Sequence, residues 1–166
     1  MKKAGVEQQK KCLIAVRLRG QSASRREIKE TFTSLRLLKR YHASIYYDTP
    51  PINGMLKRTK DYLTWGEAKP DIVRQILEKR AEIRRGKGST RDLAKALGYP
   101  SIHDLAEAVT KGTVPLTTLW KTGIKPVFRL HPPTGGFKGT IRVSYKGGGE
   151  LGYRGDAIND LLSRMV

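Results

Sequence analysis

The sequence predicts an α+β protein that opens with strands and helices in alternation. Apolar side chains alternate over residues 12–19, as expected of a strand with one face in a core. Residues 42–48 are rich in β-branched and aromatic side chains, and residues 62–66 form a similar short run that ends in a Trp-Gly pair. These runs predict three strands, with a helix between each strand and the next.

Both helices carry recognisable starting signals. Ser24 suits the N-cap of the first helix, and Glu27 three residues later completes a capping box. Pro50 and Pro51 fit the first turn of the second helix, where an amide proton has no helical partner. With both helices on one face of a small sheet, residues 12–69 are predicted to form a βαβαβ module of ferredoxin-like type.

The chain beyond this module is predicted to form a helical extension over residues 70–125. Isoleucine, valine and leucine recur along residues 71–85, which predicts one helix with several basic side chains near its end. Two short helices follow within residues 90–110, separated by a Gly-Tyr-Pro turn.

The C-terminal part has a different composition. Residues 126–155 are dense in glycine and proline and cannot bury much of a core. They predict a basic hairpin or extended loop that is exposed, with edge strands over residues 128–130 and 141–145. A last helix is predicted to start at a cap formed by Asp156 and to pack back on the core within residues 156–166.

The composition indicates a polyanionic partner. The chain has 33 Lys and Arg against 15 Asp and Glu, a formal net charge of +18, and a folded chain of that charge repels itself unless a polyanion offsets it. Residues 1–11 are predicted to form a flexible basic arm, and they lack the apolar run of a signal peptide. No stretch reaches membrane-spanning length. We therefore expect an intracellular protein with no membrane partner.

No arrangement of residues in the sequence indicates catalysis or metal binding. His42, His103 and His131 are far apart and lack the short spacings of zinc ligands. The single cysteine, Cys12, excludes an intrachain disulfide and lies in an apolar run, which predicts a buried thiol. Residues 86–90, Gly-Lys-Gly-Ser-Thr, lack the preceding strand and the first glycine of a P-loop. We expect no enzyme activity, no cofactor and no small-molecule substrate.

The turn between the first strand and the first helix concentrates positive charge. Arg17 and Arg19 end the strand, and Arg25 and Arg26 open the helix. Amide groups at a helix N-terminus bind phosphate readily, and arginine adds two-pronged hydrogen bonds. We predict that these four arginines form a phosphate-binding cluster. The other basic side chains predicted to contact nucleic acid are Lys57, Arg58, Lys60, Arg84, Arg85, Lys87, Arg129, Lys138, Arg142, Lys146 and Arg154.

An alternative hypothesis is a DNA-binding regulator that uses residues 90–111 as a helix-turn-helix. The second helix carries Asp104 and Glu107, and no basic residue precedes Lys111. A recognition helix that approaches phosphates in the major groove should be neutral or cationic. The acidity of this helix therefore favours a structural helical pair over DNA binding.

Several motifs resemble one family. The first strand ends in Arg-x-Arg-Gly, an Asp48-Thr49-Pro50 turn precedes a Gly54-Met55 pair, and the third strand ends in Trp-Gly. The segments 132–138 and 148–152 are similar as well. The chain resembles the ribosomal L-thirty family of the large subunit, in the long form of its archaeal and eukaryotic-type members. The resemblance covers almost the whole chain, apart from the first ten or so residues.

This resemblance implies a structural role. The protein would be a cytoplasmic constituent of the large ribosomal subunit that binds 23S-type rRNA, near 5S rRNA, beside neighbouring large-subunit proteins. Its mechanism would be neutralisation of phosphate charge by Arg and Lys, together with recognition of the shape of folded RNA.

Overall fold

The computed structural model describes residues 11–20, 25–83 and 90–166, and within them five strands form one sheet. The strands are β1 (Cys12–Arg17), β2 (His42–Tyr47), β3 (Leu63–Glu67), β4 (Phe128–Arg129) and β5 (Gly152–Tyr153). They lie in the order β4-β2-β1-β3-β5, and all neighbours are antiparallel except β3 and β5.

Seven α-helices lie in the same described ranges. They are α1 (Arg26–Ser34), α2 (Pro50–Arg58), α3 (Pro70–Lys79), α4 (Thr90–Ala96), α5 (Ile102–Thr110), α6 (Leu116–Lys121) and α7 (Ile158–Ser163). The first five elements follow the predicted βαβαβ order, and the predicted α+β class is confirmed. Pro50 and Pro51 occupy the first turn of α2, as predicted.

The central strand β1 is covered on both faces. All six of its residues are buried. Ile14 and Val16 lie in a larger core on one face, and Leu13 and Ala15 lie in a smaller core on the other. Side chains alternate between the two faces of a sheet, so a strand that is apolar from Cys12 to Val16 supplies both cores.

The helices form a layer on each face. Phe32 and Leu35, at the end of α1, and Leu56 from α2 fill the smaller core, so both helices of the opening module lie on one face, as predicted. The helical extension and α7 cover the opposite face, where Ile76 from α3 and Leu105 from α5 belong to the larger core. The sheet is therefore the middle layer of three.

The structure differs from the prediction at the start of α1 and at the end of α3. Arg25 holds the N-cap position of α1 without a side-chain cap hydrogen bond, and Ser24 lies outside the described residues. Helix α3 ends at Lys79 rather than residue 85, because the chain leaves the helix and Ile83 forms a β-bridge with Ile124. Tertiary pairing thus ends the helix before its apolar pattern does.

The C-terminal part also departs from the prediction. Residues 141–145 form no strand; Val143 O instead accepts hydrogen bonds from the amides of Glu150 and Leu151, so the segment 139–151 closes on itself as an extended loop. Helix α7 begins at Ile158 after a 3₁₀ turn, so Asp156 lies within that turn and is not its cap.

A close backbone approach joins the C-terminal part to the sheet. A Cβ atom on Gly66 would lie 2.0 Å from the carbonyl oxygen of Gly155. Next to this approach, the Asn159 side chain donates to Glu67 O at 3.0 Å and accepts from the Lys69 amide at 2.9 Å. Only glycine fits in β3 at position 66.

We therefore expect Gly66→Ala to be strongly destabilising, by roughly 3 kcal/mol, because backbone atoms must move apart. Gly54→Ala is the matched control: Gly54 is exposed in α2 with open space around its Cβ position, so alanine should stabilise the protein by about 0.5–1 kcal/mol. Urea unfolding of both variants measures the difference. Equal unfolding midpoints would contradict the close approach.

Candidate nucleic-acid interface

Three connecting segments meet where β1 ends. The amides of Leu18 and Arg19 both donate to Tyr62 O, at 2.9 and 3.0 Å, and the Tyr41 amide donates to Arg17 O at 2.7 Å. These bonds bring together residues 18–20, the connection from α1 to β2, and the connection from α2 to β3. We call these three segments, with the last turn of α2, the basic end of the sheet.

Arg17 lies inside the protein, not on its surface. It is only 1% exposed. Its guanidinium donates to Leu37 O and Leu38 O at 2.8 Å and to Arg19 O at 2.9 Å, and lies 4.0 Å from the centre of the Phe32 ring. Burial lowers the pKa of Arg17, and nearby Arg40 lowers it further. The predicted phosphate contact of Arg17 is corrected: this side chain holds the α1–β2 connection in place.

Arg19 is half-buried at the same end of the sheet. Its Nη1 donates to Asp61 O at 3.1 Å, and its guanidinium lies 5.5 Å from the centre of the Tyr62 ring. These contacts fix the side chain and leave part of it accessible. Arg19 is thus a pre-oriented cation.

Arg25 and Arg26 are exposed at the start of α1. Arg26 Nε lies 2.8 Å from Glu30 Oε1, one helical turn further on. Exposed pairs at this spacing contribute only about 0.3–0.5 kcal/mol, so this one would not prevent a phosphate contact. Residues 21–24, the rest of the predicted turn, lie outside the described residues.

The α1–β2 connection carries three exposed cations that the sequence analysis missed, namely Arg36, Lys39 and Arg40. Arg36 has a φ of 60°, an unusual value for a residue other than glycine. The Arg40 guanidinium packs beside Gly20: a Cβ atom on Gly20 would lie at ordinary contact distance, 3.4 Å, from Arg40 Nε. The signal in the sequence was the close spacing of three basic residues just before a strand, without helical periodicity.

The end of α2 supplies the next cations. Lys57, Arg58 and Lys60 are exposed, and the chain then turns through Tyr62 into β3. Because Tyr62 O accepts the amides of Leu18 and Arg19, these three predicted residues lie at the same end of the sheet as Arg19.

Arg129 lies on the edge strand β4 at the same end of the sheet. It pairs with His42 in the register of β2 and β4, and its Nε lies 3.3 Å from Glu82. Burial lowers the pKa of His42, and Arg129, Lys39 and Arg17 lower it further. Arg129, Lys39 and Arg17 all lie close enough to His42 to lower its pKa, so the three cations cluster around this residue.

The remaining predicted residues fall into three groups. Lys138, Arg142 and Lys146 are exposed in residues 138–151, which we call the Gly-rich loop, whereas Arg84, Arg85 and Lys87 lie outside the described residues. Arg154 is only 8% exposed. It is paired with the Glu150 carboxylate, and its Nε donates to Thr64 Oγ1 at 2.9 Å. Its predicted nucleic-acid contact is corrected, because its charge is compensated internally.

The predicted helical pair forms, and α5 faces the core. Ile102, Leu105, Ala106, Ala108 and Val109 of α5 are all buried. The outer side carries Glu107, which pairs with Lys111 at 2.9 Å. The Lys111 ammonium lowers the pKa of Glu107 below its usual range. A helix with most of its residues in the core cannot enter a DNA groove as a recognition helix does.

No group of three or more His, Cys, Asp or Glu residues in the described parts of the chain is placed to hold a metal ion. Cys12 is buried, and burial raises the pKa of its thiol to about 12. None of the helices in the described ranges is long and apolar enough to cross a membrane.

Comparison with known proteins shows which class of protein this chain is similar to. The family described as Ribosomal protein L30p/L7e matches residues 8–63. The Large ribosomal subunit protein uL30 of Thermofilum pendens is 46% identical over 154 residues, which span 92% of this chain and 97% of the relative. The Ignicoccus hospitalis protein of the same name is 41% identical over 95% of this chain and 99% of its own length.

The Methanobrevibacter smithii protein, also a Large ribosomal subunit protein uL30, is 44% identical over 92% of this chain and 99% of its own length. The basic α+β chain described above is thus a ribosomal protein. It belongs to the uL30 family.

The internal position of Arg17 leads to a stability test. Replacing Arg17 by Met should cost roughly 3 kcal/mol, because buried carbonyl groups are left without their donors. Arg26→Met removes an exposed arginine from the same region and should change stability by less than about 0.5 kcal/mol. Chemical unfolding of both variants provides the measurement. A cost as small for Arg17→Met as for Arg26→Met would mean that Arg17 does not organise this end of the sheet.

Proposed function

We propose that the chain is a structural, non-catalytic constituent of the large ribosomal subunit that binds folded rRNA through the basic end of its sheet. The observation that carries this proposal is the convergence of exposed or half-buried cations from three connecting segments and the last turn of α2. They are Arg19, Arg36, Lys39, Arg40, Lys57, Arg58 and Lys60. Arg25 and Arg26 extend the surface at the start of α1.

The binding mechanism is charge neutralisation on a fixed surface. Lysine and arginine side chains that contact phosphates release condensed counterions, which provides affinity independent of base sequence. The buried Arg17 holds the connection that carries Lys39 and Arg40, so these cations are positioned before binding. A rigid arrangement of charges matches the shape of folded RNA.

The partner is 23S-type rRNA of the large subunit, close to 5S rRNA and to neighbouring large-subunit proteins. Support for the large subunit comes from the names of the archaeal relatives. Further predicted contacts come from Arg129 and from Lys138, Arg142 and Lys146 of the Gly-rich loop. The predicted contacts of Arg84, Arg85 and Lys87 complete the set.

Cofractionation tests the proposed assembly. Tagged protein expressed in growing cells should sediment with the large subunit, and it should stay bound at moderate salt because many phosphate contacts act together. Sucrose-gradient fractionation followed by detection of the tag measures this. Recovery of the protein only in ribosome-free fractions would contradict the proposed function.

The phosphate contacts are tested by salt titration. Arg25→Ala with Arg26→Ala should lower affinity for deproteinised large-subunit rRNA, and the slope of log affinity against log salt should fall by roughly 0.9 for each phosphate that is no longer neutralised. Lys111→Ala with Lys121→Ala is the matched control, because it removes two exposed cations from the helical extension.

The control variant should keep the parental slope, apart from a small effect of net charge. If the arginine variant binds as tightly as the parent and with the same slope, Arg25 and Arg26 do not contact phosphate. Circular dichroism of both variants verifies that the fold is unchanged.

A further inference from the structure

A pocket lies beside the Gly-rich loop and has a volume of about 340 Å³. Its walls combine three kinds of group: backbone around Gly148 and Gly149, the aromatic ring of Tyr145, and charged side chains that include Lys138, Asp160 and Arg164. The pocket thus unites an exposed aromatic ring with flanking cations.

Tyr145 is held in a fixed position but remains accessible. It is 41% exposed, and the Arg154 guanidinium lies 4.7 Å from the centre of its ring. That guanidinium is anchored by Thr64 Oγ1 at 2.9 Å and by Glu150 O at 2.7 Å. The ring therefore packs on a buried cation that is hydrogen-bonded inside the fold.

The loop that carries Tyr145 is tightly packed. The Tyr145 amide donates to Leu151 O at 2.7 Å. A Cβ atom on Gly149 would lie 2.0 Å from Val143 O, and one on Gly139 would lie 2.5 Å from Gly148 O. The Gly139 amide also donates to the Glu150 carboxylate at 2.8 Å. Because the loop is packed in this way, the Tyr145 ring loses little conformational entropy when a ligand binds.

We propose that this pocket receives one unpaired nucleobase of rRNA, which stacks on the ring of Tyr145. The proposal rests on the proposed function and adds a base contact to its phosphate contacts. Unpaired RNA bases are commonly bound by stacking on aromatic side chains. Lys138 and Arg164 line the same pocket and are suited to the phosphates on either side of the base.

Asp160 favours a base with hydrogen-bond donors at this wall. Its carboxylate accepts hydrogen bonds and repels phosphate, so the amino or ring N–H edge of the base faces it and the phosphates contact Lys138 and Arg164 instead. The Glu150 carboxylate is already engaged by Arg154 and Gly139. Of the two carboxylates that line the pocket, Asp160 is therefore the one that accepts from the base.

The test compares three variants for binding to deproteinised large-subunit rRNA over a series of salt concentrations. Tyr145→Leu should weaken binding roughly 5- to 150-fold, the range for removal of one base–aromatic stack, without changing the salt slope. Tyr145→Phe keeps the ring and should bind like the parent. Tyr153→Leu is the control, because Tyr153 is similarly exposed, at 44%, but does not line this pocket.

Ultraviolet crosslinking of the unaltered protein to rRNA, followed by mass spectrometry, gives an independent result. A nucleotide crosslinked to Tyr145 supports the proposal, and this readout stands even if Tyr145→Leu fails to fold. Parental affinity of a folded Tyr145→Leu variant, together with no crosslink at Tyr145, would overturn the proposal. If the base-stacking proposal fails in this way but the protein still binds rRNA in a salt-dependent manner, the proposed function stands. If the protein does not bind rRNA at all, the base-stacking proposal and the proposed function both fail.

Discussion

The buried guanidinium of Arg17 determines how the basic end of the sheet is built. Removing a charged group from water is costly unless its hydrogen bonds are replaced. Here backbone carbonyls of Arg19, Leu37 and Leu38 accept from it, and the face of Phe32 lies against it. The same contacts tie the end of β1 to the connection that follows α1. The positions of the exposed cations on that connection therefore depend on an arginine that does not itself reach solvent.

A second buried arginine has a similar role beside the edge strand β5. Arg154 joins Thr64 of β3 to Glu150 of the Gly-rich loop, and the resulting pair is almost fully buried. A buried pair of this kind is weak evidence for net stability, but removal of one partner leaves an uncompensated charge. Both arginines thus fix loop geometry next to exposed cations.

The elements that depend on local sequence were predictable. The alternating run that forms β1, the proline pair that opens α2 and the Gly-Tyr-Pro turn between α4 and α5 each carry a signal within a few residues. The end of α3 was not predictable, because Ile83 leaves the helix to pair with Ile124, some forty residues away along the chain. Residues 141–145 alternate like a strand, yet carbonyl groups in this segment bond to the following loop instead.

Contacts between distant residues also determine which cations lie on the surface at the basic end of the sheet. From the sequence alone, Arg17 and Arg154 were predicted to contact nucleic acid. The number and spacing of charged residues do not distinguish a solvated guanidinium from one that donates to carbonyl groups inside the fold. Arg36, Lys39 and Arg40 were missed because they lie in an irregular connection, where only tertiary hydrogen bonds such as that from Tyr41 to Arg17 place them beside β1. The helical extension could be predicted as helical. Its role in covering the second face of β1 required the structure.

Lysine acetylation footprinting within intact large subunits determines whether the basic end of the sheet contacts rRNA. Exposed lysines react with an acetylating reagent, and a lysine in contact with phosphate is protected. We predict that Lys39, Lys57 and Lys60 are protected in the subunit and reactive in the free protein, whereas Lys121 of the helical extension is protected to a smaller extent. Full reactivity of Lys39, Lys57 and Lys60 in the subunit would contradict the assignment of the basic end of the sheet as the rRNA-binding surface.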